Sequence, residues 1–479
     1  IYFNSEIRQG ISLYMSLRLR CSALVLLITL FCSSLFSQVK VENVRPYETI
    51  AKQIISKGLA SGKAYELLHE LTTKIGARLS GSPQAEKAVE WAKKTMEGFD
   101  FDNVRLEVVM VPRWVRGDVE ECTVIYTSSI VTMPLTICAL GGSINTPREG
   151  ITAQVLEVQS FDQLKEMKAQ AEGKIIFFNR PMDRSKINPG EAYGGAVNQR
   201  SQGAIEAATV GGVAALVRSM TMQIDDNPHT GAMHYNDTIP KVPTAAISTV
   251  AANTLSELLK KQKDLKVNLK LSCQTLPDVE SANVIGELSG DEKPEEVILI
   301  GGHLDSWDKG QGAHDDGAGC VQAIEALRLM KELGLKPKRT IRAVMFMNEE
   351  NGLQGAKAYA SKKRPGEKHI AAIESDAGGF TPKGFGVQAD SLIVDRIAKW
   401  SYLLEPIDAD RIRRGGGGAD IGELGRQGVP ALGLRVDGQK YFDYHHSDND
   451  TIDKVHEREL QLGAIAMAIL SYVLAEEGL

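Results

Sequence analysis

The chain is poor in cysteine and carries no excess of basic charge. Six of its 479 residues are cysteines, and none of them stands in a C-x-x-C pair, so we do not expect a metal site built from cysteine thiolates. The formal net charge is −6 and the sequence shows no basic stripe, which gives no reason to expect nucleic acid as a partner. Internal repeats and low-complexity tracts are also missing, so the composition is that of an ordinary globular protein.

Long apolar runs are scarce as well, and the one that stands out lies near the N-terminus. Arg18 and Arg20 precede the apolar stretch Ala23–Phe31, and small and polar residues follow. This order predicts a secretory signal peptide within residues 1–37, and therefore a secreted or periplasmic protein. We expect no stable membrane span elsewhere in the chain.

The sequence pattern changes twice after the leader, which predicts three segments. Residues 38–117 have the periodicity of amphipathic helices followed by a strand, and we expect them to form the first part of a catalytic domain. Residues 118–274 hold short β-rich runs between glycine and proline loops, and residues 275–479 alternate strand, loop and helix. Near-continuous apolar strands alternating with helices predict an α/β fold whose parallel or mixed central sheet is covered by helices.

The strands of the last segment end in acids and histidines, and functional side chains gather beyond the carboxyl ends of strands in such sheets. These side chains are His303, Asp305, Asp315, Asp316, Glu349, Glu350, Asp376, His445, His446 and Asp450. Each of them alone is ordinarily a solvated loop residue. Together, so many carboxylates at one sheet edge would repel one another unless cations neutralise them. The pattern therefore predicts two divalent ions, and imidazole with carboxylate and no thiolate suits zinc, with other metals open.

Five motifs give this pattern a family resemblance. GGHLDSWD, GAHDDGAG, FMNEENGLQGA, ESDAGG and HHSDNDT follow one another in this order. They resemble the di-zinc exopeptidase family that includes bacterial leucyl aminopeptidases and glutamate carboxypeptidase, over essentially the whole mature chain. The resemblance implies a zinc-peptidase α/β sandwich with residues 118–274 as an inserted protease-associated domain. It also implies two Zn²⁺ per chain, a peptide substrate and a homodimer.

The resemblance assigns the metal ligands residue by residue. His303 would bind one ion, Asp315 would bridge both ions, and His446 would complete the second site. Glu350 and Asp376 would each bind a different ion. The family pattern chooses Asp315 over its neighbouring acid, and the H-x-x-x-D-T spacing chooses His446 over the histidine before it.

Other residues would act behind the ligands. Glu349 would be the general base, because neighbouring side chains in an extended segment point to opposite sides and the family gives this role to the first acid. Asp305 would accept the free ring N–H of His303, which fixes the tautomer and raises ligand basicity. Asp316 and Asp450 would also lie outside the direct ligand set.

Candidates for substrate binding lie in the tract RIRRGGGGADIG. Gly416 and Gly417, within a run of four glycines, let backbone N–H groups approach a carboxylate closely. Asp420 could meet a free amine. The competing interpretation is a flexible loop with solvated charges. Tyr441 is a candidate oxyanion donor, with aromatic packing as the alternative.

The predicted function is a secreted exopeptidase that uses metal-activated water to hydrolyse dipeptides or short peptides with free termini. A strict aminopeptidase shares every metal residue and stays open. A non-catalytic receptor-like relative or a single-zinc cyclase would lack part of the ligand set, which is intact here. The inserted segment is expected to cover the cleft. Neither His314 nor His229 and His234 of its HTGAMHY loop is expected to bind metal, and we interpret His314 as a loop residue.

Overall fold

Two eight-stranded sheets organise the part of the chain that the computed structural model describes, residues 45–126 and 132–479. The predicted signal peptide lies outside these residues. In chain order the strands are β1 (Asp102–Val115), β2 (Glu120–Ile125), β3 (Thr132–Pro134), β4 (Ile137–Ala139), β5 (Ile151–Val158), β6 (Ile175–Phe178), β7 (Ala214–Arg218), β8 (Thr244–Ile247), β9 (Lys266–Leu271), β10 (Gln274–Leu288), β11 (Lys293–His303), β12 (Arg339–Phe346), β13 (Lys368–Glu374), β14 (Pro382–Gln388), β15 (Arg411–Arg414) and β16 (Ala431–Val436).

Helices separate many of these strands. In chain order they are α1 (Glu48–Ser61), α2 (Ala64–Glu70), α3 (Pro83–Gly98), α4 (Phe161–Glu166), α5 (Lys168–Ala171), α6 (Pro189–Ala196), α7 (Asn198–Ser201), α8 (Gly203–Thr209), α9 (Thr249–Lys261), α10 (Ala318–Glu332), α11 (Gln354–Ser361), α12 (Ser391–Ala398), α13 (Gly422–Arg426), α14 (Tyr441–Tyr444) and α15 (Glu457–Glu477). Local sequence explains several ends. Ser82 caps α3 by accepting a hydrogen bond from Ala85 N at 3.1 Å, and Pro83 is the first helical residue, a common start of a helix.

The first sheet is mixed and has the order β1-β10-β12-β11-β13-β16-β14-β15. Its centre, β12-β11-β13, is parallel, and all eight residues of β12 are buried, as expected for strands covered on both faces. Because these three strands run side by side in one direction, the loops after His303, Phe346 and Glu374 leave the same edge of the sheet. This topology confirms the expected mixed α/β architecture, and it explains why residues distant in sequence share one site.

The second sheet comes from one continuous stretch of chain, Glu120 to Leu271, with the order β3-β2-β9-β5-β6-β7-β8-β4. The chain leaves the first sheet at Val115 and returns at Gln274, and these two residues are paired in the antiparallel ladder of β1 and β10. Residues Ile50–Leu479, which contain both sheets, pack as one compact unit. The domain boundaries predicted at residues 118 and 274 stay a prediction.

One helix of the described residues, α15, is long and apolar enough to cross a membrane by length and composition. The expectation that the chain has no stable membrane span beyond the leader stays a prediction. The apolar part of α15 is mostly buried inside the protein, where the helix packs against α10 and β11. A buried core helix passes the same test as a membrane span, so the composition alone assigns no span here.

The sequence periodicity also does not predict the strand at the far edge of the first sheet. RIRR forms β15, which pairs parallel to β14 from Arg411 opposite Gly384 to Arg414 opposite Val387. Polar, charged residues in a short edge strand carry no apolar alternation, so the period that reveals buried strands is absent. The tract is a strand followed by a loop, rather than loop throughout.

A buried ion-pair network holds β12, the strand that leads into the predicted base. Arg342 is 4% exposed; its Nε donates to Glu287 at 2.7 Å, and its Nη1 and Nη2 donate to the two oxygens of Glu367, each at 2.7 Å. We predict that Arg342→Met lowers the free energy of unfolding by about 3 kcal/mol, because Glu287 and Glu367 each lose one buried ionic partner. Urea denaturation measures this, with exposed Lys336→Met as the charge-matched control. Equal effects of the two substitutions would contradict the assignment.

Candidate metal centre

The predicted metal ligands meet around Asp315. On one side, Oδ1 of Asp315 lies 3.3 Å from Nε2 of His303, and this nitrogen lies 3.7 Å from Oδ1 of Asp376. On the other side, Oδ2 of Asp315 lies 3.2 Å from Nε2 of His446, and this nitrogen lies 3.1 Å from Oε2 of Glu350. Two clusters of ligand atoms therefore share one carboxylate.

Polar atoms at the centre of this arrangement lack hydrogen-bond partners. His303 and Asp315 are buried, and neither His303 Nε2 nor Asp315 Oδ2 makes a hydrogen bond within the described residues. Buried polar atoms are normally satisfied, so each exception calls for an explanation such as a bound ion. Imidazole nitrogens and carboxylate oxygens are the donors that zinc accepts in catalytic sites. The residues present therefore fit zinc.

The two adjacent histidines differ in their approach to this centre. Nε2 of His445 lies 3.7 Å from Asp315 Oδ2, farther than the nitrogen of His446, and the two rings stack with centroids 3.5 Å apart. Asp315, His445 and His446 also satisfy the spacing of a three-residue metal group. The closer contacts of His446 with both Asp315 and Glu350 favour His446 as the ligand.

Burial, together with neighbouring acids, raises the pKa of the two glutamates. Burial raises the pKa of Glu350 to about 7, and Asp315 nearby acts in the same direction. Desolvation also raises the pKa of Glu349 well above its ordinary value, with Asp376 and Glu350 adding to the effect. Burial alone would lower the pKa of His446, but Glu350 and Asp315 outweigh it and raise this pKa to about 10. These carboxylates therefore need cations in order to stay ionised together.

Two further acids hold the backbone around the bridge. Asp450 accepts hydrogen bonds from His314 N at 2.7 Å and from Asp315 N at 3.1 Å, one on each carboxylate oxygen. Asp316 accepts from His303 N at 3.1 Å and from Gly319 N at 3.0 Å. Both acids lie behind the ligands, where the resemblance places them, and they fix the main chain from which His303 and Asp315 project.

The contact expected of Asp305 is different in the structure. Nδ1 of His303 lies 3.0 Å from the backbone oxygen of Asp305, whereas the carboxylate Oδ1 is 3.9 Å away. That carboxylate oxygen instead accepts hydrogen bonds from Asn348 N at 2.7 Å and Glu349 N at 3.1 Å. The carboxylate of Asp305 thus binds two backbone N–H groups in the turn after β12 and thereby positions Glu349, the predicted base. The backbone carbonyl of Asp305, rather than its carboxylate, orients His303.

Glu349 lines a cavity of about 190 Å³ in front of the ligands. The other lining residues are Tyr193, Arg200, Asp315, Glu350, Asp376, Tyr441, His445 and His446. Glu349 and Glu350 therefore both face this space, and Glu349 makes no contact with a ligand nitrogen within 4.0 Å in the described chain. This position suits a group that acts on a water or substrate held at the ligands.

The stretch between β1 and β10 supplies part of this site, which the sequence did not reveal. His229 and His445 are joined by a hydrogen bond of 2.7 Å between the ring Nδ1 of His229 and the backbone oxygen of His445. Thr230 N donates to His446 O at 2.9 Å, and Nδ1 of His446 lies 3.3 Å from Thr230 O. The HTGAMHY loop thus holds the two histidines from behind. Burial lowers the pKa of His229 to about 4, consistent with a neutral supporting ring.

His314 is also a supporting residue rather than a solvated one. It is fully buried, and its ring packs against those of Phe380 and Tyr444, with centroid distances of 4.3 and 5.3 Å. Gly379 N donates to its Nδ1 at 3.1 Å, and its Nε2 lies 3.3 Å from Lys454 O. Burial lowers its pKa to about 4. The local sequence does not predict this packing, because Phe380 and Tyr444 are distant from His314 in the sequence.

The glycine tract is anchored by a buried acid. Glu374 accepts hydrogen bonds from Ala419 N at 3.0 Å and Ile421 N at 2.8 Å, and a Cβ at Gly418 would lie 2.3 Å from its carboxyl carbon. A Cβ at Gly417 would meet Ala431 at 2.7 Å, and one at Gly416 would come within 3.6 Å of Arg435. Close packing against the protein thus accounts for Gly417 and Gly418 without a ligand.

Asp420 and Tyr441 keep features of binding groups. Asp420 is 1% exposed, and neither carboxylate oxygen has a hydrogen-bond partner among the described residues. Burial, with Glu374 nearby, raises its pKa well above the ordinary value. Tyr441 lines the small cavity and also packs against His445, with ring centroids 5.2 Å apart. Its position is compatible with both roles considered for it.

A second, larger cavity of about 650 Å³ adjoins the first, since Asp376 and Tyr441 line both. Its wall is rich in cations, which are Lys383, Arg411, Arg413, Arg414 and Arg435. The tract RIRR therefore faces a cleft that opens beside the ligands.

Comparison with known proteins gives the family. The model of peptidase family M28 matches residues 283–473, which include every candidate ligand. The chain is 39% identical over 448 residues to carboxypeptidase Q of Bos taurus and to that of Homo sapiens, covering 92% of each chain. The crystal structure of a peptidase M28 precursor from Shewanella amazonensis SB2B is 35% identical, with a TM-score of 0.85 over 90% of this chain and 97% of that one. The chain belongs to peptidase family M28.

Membership of peptidase family M28 confirms the resemblance seen in the five motifs, and with it the expectation of a zinc-dependent exopeptidase. A zinc aminopeptidase from Bacillus subtilis has a TM-score of 0.63 at 20% identity, over 86% of this chain and 94% of that one. That likeness shows the fold. The roles of individual site residues rest on the geometry described above and stay predictions.

The hydrogen bonds of Asp450 predict an effect on metal affinity. Asp450→Asn should weaken zinc binding by about 10- to 100-fold, because one amide cannot accept from both backbone donors that hold Asp315 in place. Competition with a chromophoric chelator measures the affinity. Exposed Asp448→Asn is the matched control and should bind zinc like the parent chain. Unchanged affinity in Asp450→Asn would contradict the supporting role.

Proposed function

We propose that the chain is a di-zinc exopeptidase that hydrolyses dipeptides or short peptides with free termini. The observation that carries the proposal is the position of Asp315 between two clusters, His303 with Asp376 and His446 with Glu350. One bridging carboxylate with a histidine and an acid on each side is a symmetrical donor set for two ions of a hydrolytic site. The similarity to carboxypeptidase Q supports the substrate class.

The residues around the small cavity include candidate metal ligands and a candidate general base. His303, Asp315, Glu350, Asp376 and His446 would hold the zinc pair. When bound, such a pair supplies a water of lowered pKa and positive charge opposite the developing oxyanion.

The proton is handled by the protein. Desolvation and neighbouring acids raise the pKa of Glu349 well above its ordinary value, and a raised carboxylate pKa is a common feature of general bases. Glu349 takes the proton from the attacking water and returns it to the amine of the departing residue. Asp305 keeps Glu349 in place through the backbone hydrogen bond at 3.1 Å. The hydroxyl of Tyr441, on the wall of the same cavity, is a candidate donor to the substrate carbonyl oxygen.

The substrate ends have separate candidate partners. The buried carboxylate of Asp420 has no hydrogen-bond partner among the described residues. It is therefore the candidate partner for the free amine of the substrate. Gly416 stays a candidate for backbone contact with a carboxylate, whereas the packing of Gly417 on Ala431 leaves it less room. The cation-lined cavity of about 650 Å³ would take the rest of a longer peptide.

The setting of the enzyme is also part of the proposal. The signal-like N-terminal segment supports export, and the family resemblance supports a homodimer. The stretch from Glu120 to Leu271 would be an inserted protease-associated domain, which is supported by its own sheet and by the pairing of Val115 with Gln274 where the chain leaves and returns. Its residues Tyr193 and Arg200 on the cavity wall support a role in covering the cleft.

A panel of four substrates tests the proposal: a free dipeptide, its N-acetyl form, its C-terminal amide and the doubly blocked peptide. The purified protein loaded with zinc should hydrolyse the free dipeptide fastest, and elemental analysis should give two zinc ions per chain. Unimpaired hydrolysis of the amide with loss of the acetylated peptide would instead identify a strict aminopeptidase. Equal rates on all four would contradict recognition of free termini.

Glu349→Gln tests the base. The substitution should leave two zinc ions bound and lower kcat by several orders of magnitude, because the amide cannot accept a proton while the ligands stay intact. Exposed Glu292→Gln is the matched control and should keep the parent kcat. Full activity in Glu349→Gln would remove the base assignment, and loss of zinc would make Glu349 a ligand instead.

A further inference from the structure

A buried tryptophan beside the metal centre has no part in the proposed chemistry. Trp307 lies in the loop after β11, and its side chain is 2% exposed. It belongs to a hydrophobic cluster with Ala139 of β4, Leu216 of β7 and many other residues of the second sheet. A loop that leaves the first sheet therefore buries its largest side chain in the core beneath the second sheet.

Trp307 contacts both residues of one of the two ligand clusters. Its backbone N–H donates to Oε1 of Glu350 at 3.2 Å. This bond leaves Oε2 of Glu350, which lies 3.1 Å from Nε2 of His446, for the metal side. The indole also meets the ring of His446, with centroids 5.7 Å apart and planes at 61°. Among the described residues, no hydrogen bond or ring contact joins Trp307 to His303 or Asp376.

Gly141, just after β4, fixes the position of the indole. A Cβ at Gly141 would lie 1.9 Å from Cη2 and 2.2 Å from Cζ3 of Trp307. Gly141 does not have a positive φ, so the contact rather than the backbone conformation requires glycine. Gly141 N donates to Gly231 O, and Gly141 O accepts from Met233 N, both at 3.0 Å. The HTGAMHY loop that holds His446 therefore also holds the glycine against which the indole packs.

An ion pair fixes the residue that follows Trp307 to the same part of the chain. Arg116 is 8% exposed, and its Nε and Nη2 donate to the two carboxylate oxygens of Asp308 at 2.8 and 2.5 Å. Nη1 of Arg116 donates to Ala139 O at 2.5 Å, and Nη2 donates to Thr230 Oγ1 at 3.2 Å. A bidentate pair of this kind holds the backbone in one geometry. The position of Trp307 is thus fixed through both its ring and its neighbour.

The two ligand clusters therefore have different supports. His303 is held by its own surroundings, since Asp316 accepts from His303 N at 3.1 Å and the ring Nδ1 lies 3.0 Å from Asp305 O. Glu350 and His446 instead rest on an indole and a loop that pack with the second sheet. Contacts behind metal ligands set the orientation of those ligands and the affinity for the ion.

We propose that Trp307 is a positioning residue that makes the ion at Glu350 and His446 depend on packing with the second sheet. The ion at His303 and Asp376 does not share this dependence. The inference rests on the proposed di-zinc function and adds the residue that links one ion to the stretch from Glu120 to Leu271. Displacement of the indole should therefore loosen one ion of the pair and leave the other in place.

Gly141→Ala tests the proposal, because the added methyl group displaces the indole without altering any ligand. Equilibrium dialysis against buffered free zinc measures the two affinities, and anomalous diffraction at limiting zinc assigns them to sites. The variant should bind one ion like the parent and the other about 10- to 100-fold more weakly. The anomalous peak beside Glu350 and His446 should lose occupancy, whereas the peak beside His303 should keep it.

Gly212→Ala is the matched control. Gly212 also lacks a positive φ, and a Cβ there would lie 2.9 Å from both Ala207 O and Ile176 Cγ1. The substitution therefore crowds the same stretch of chain without touching Trp307. It should lower the stability of the protein and leave both zinc affinities unchanged. The same loss of one ion in Gly212→Ala would show a general effect of destabilisation and would overturn the proposal.

A size exchange gives a second readout that general damage to the fold does not reproduce. Trp307→Phe removes the outer ring atoms that a Cβ at Gly141 would meet, and it keeps the backbone donor to Glu350. The double variant Gly141→Ala/Trp307→Phe should therefore recover most of the affinity that Gly141→Ala loses. Further loss in the double variant would overturn the proposal. If Gly141→Ala does not fold, Trp307→Leu decides, since unchanged binding of both ions without the ring would contradict positioning by the indole.

The outcome also separates this inference from the proposed function. A parent that binds two zinc ions, together with a Gly141→Ala variant that binds both equally well or loses both equally, would remove the role of Trp307 and leave the di-zinc exopeptidase intact. A parent that binds fewer than two zinc ions at saturation would contradict both.

Discussion

The repulsion among buried carboxylates around Asp315 is the constraint on which the rest of the site depends. Asp315, Glu350 and Asp376 lie within one cluster with two histidines, and Glu349 faces the same cavity. A protein can keep such acids ionised together only when cations compensate them. The unpartnered atoms at His303 Nε2 and Asp315 Oδ2 mark where that compensation belongs. In the proposed function, metal binding and general-base chemistry both depend on this cluster of acids.

Residues from both sheets of the fold meet at this site. Parallel strands β11, β12 and β13 deliver His303, the two glutamates and Asp376 from one side. Backbone hydrogen bonds to Asp450, Asp316 and Asp305 then fix the loops that these strands lead into. From the other side, the stretch from Glu120 to Leu271 contributes Thr230, which holds His446, and Arg200. The loops after the parallel strands therefore carry the candidate ligands and the candidate base, and the stretch from Glu120 to Leu271 supports His446 and lines part of the cavity.

Sequence reasoning was strongest where local pattern and chemistry coincide. Apolar strands that end in His303, Glu349 or Asp376 have a clear periodicity, so the mixed sheet and the convergence of these residues were predictable. It was weakest where long-range packing decides. The strand RIRR has no apolar alternation, His314 is buried against two aromatic rings, and the carboxylate of Asp305 accepts a hydrogen bond from the backbone of Asn348. Arg200 belongs to an unremarkable polar stretch, and only the folded chain brings it within 3.3 Å of His446.

The most direct test of the account is where metal binds. Crystals of the protein grown with zinc, measured on both sides of the zinc absorption edge, should show two anomalous peaks that flank Asp315. One peak should contact His303 and Asp376, and the other should contact Glu350 and His446. A single peak, or peaks away from Asp315, would contradict the claim that two cations hold these acids together.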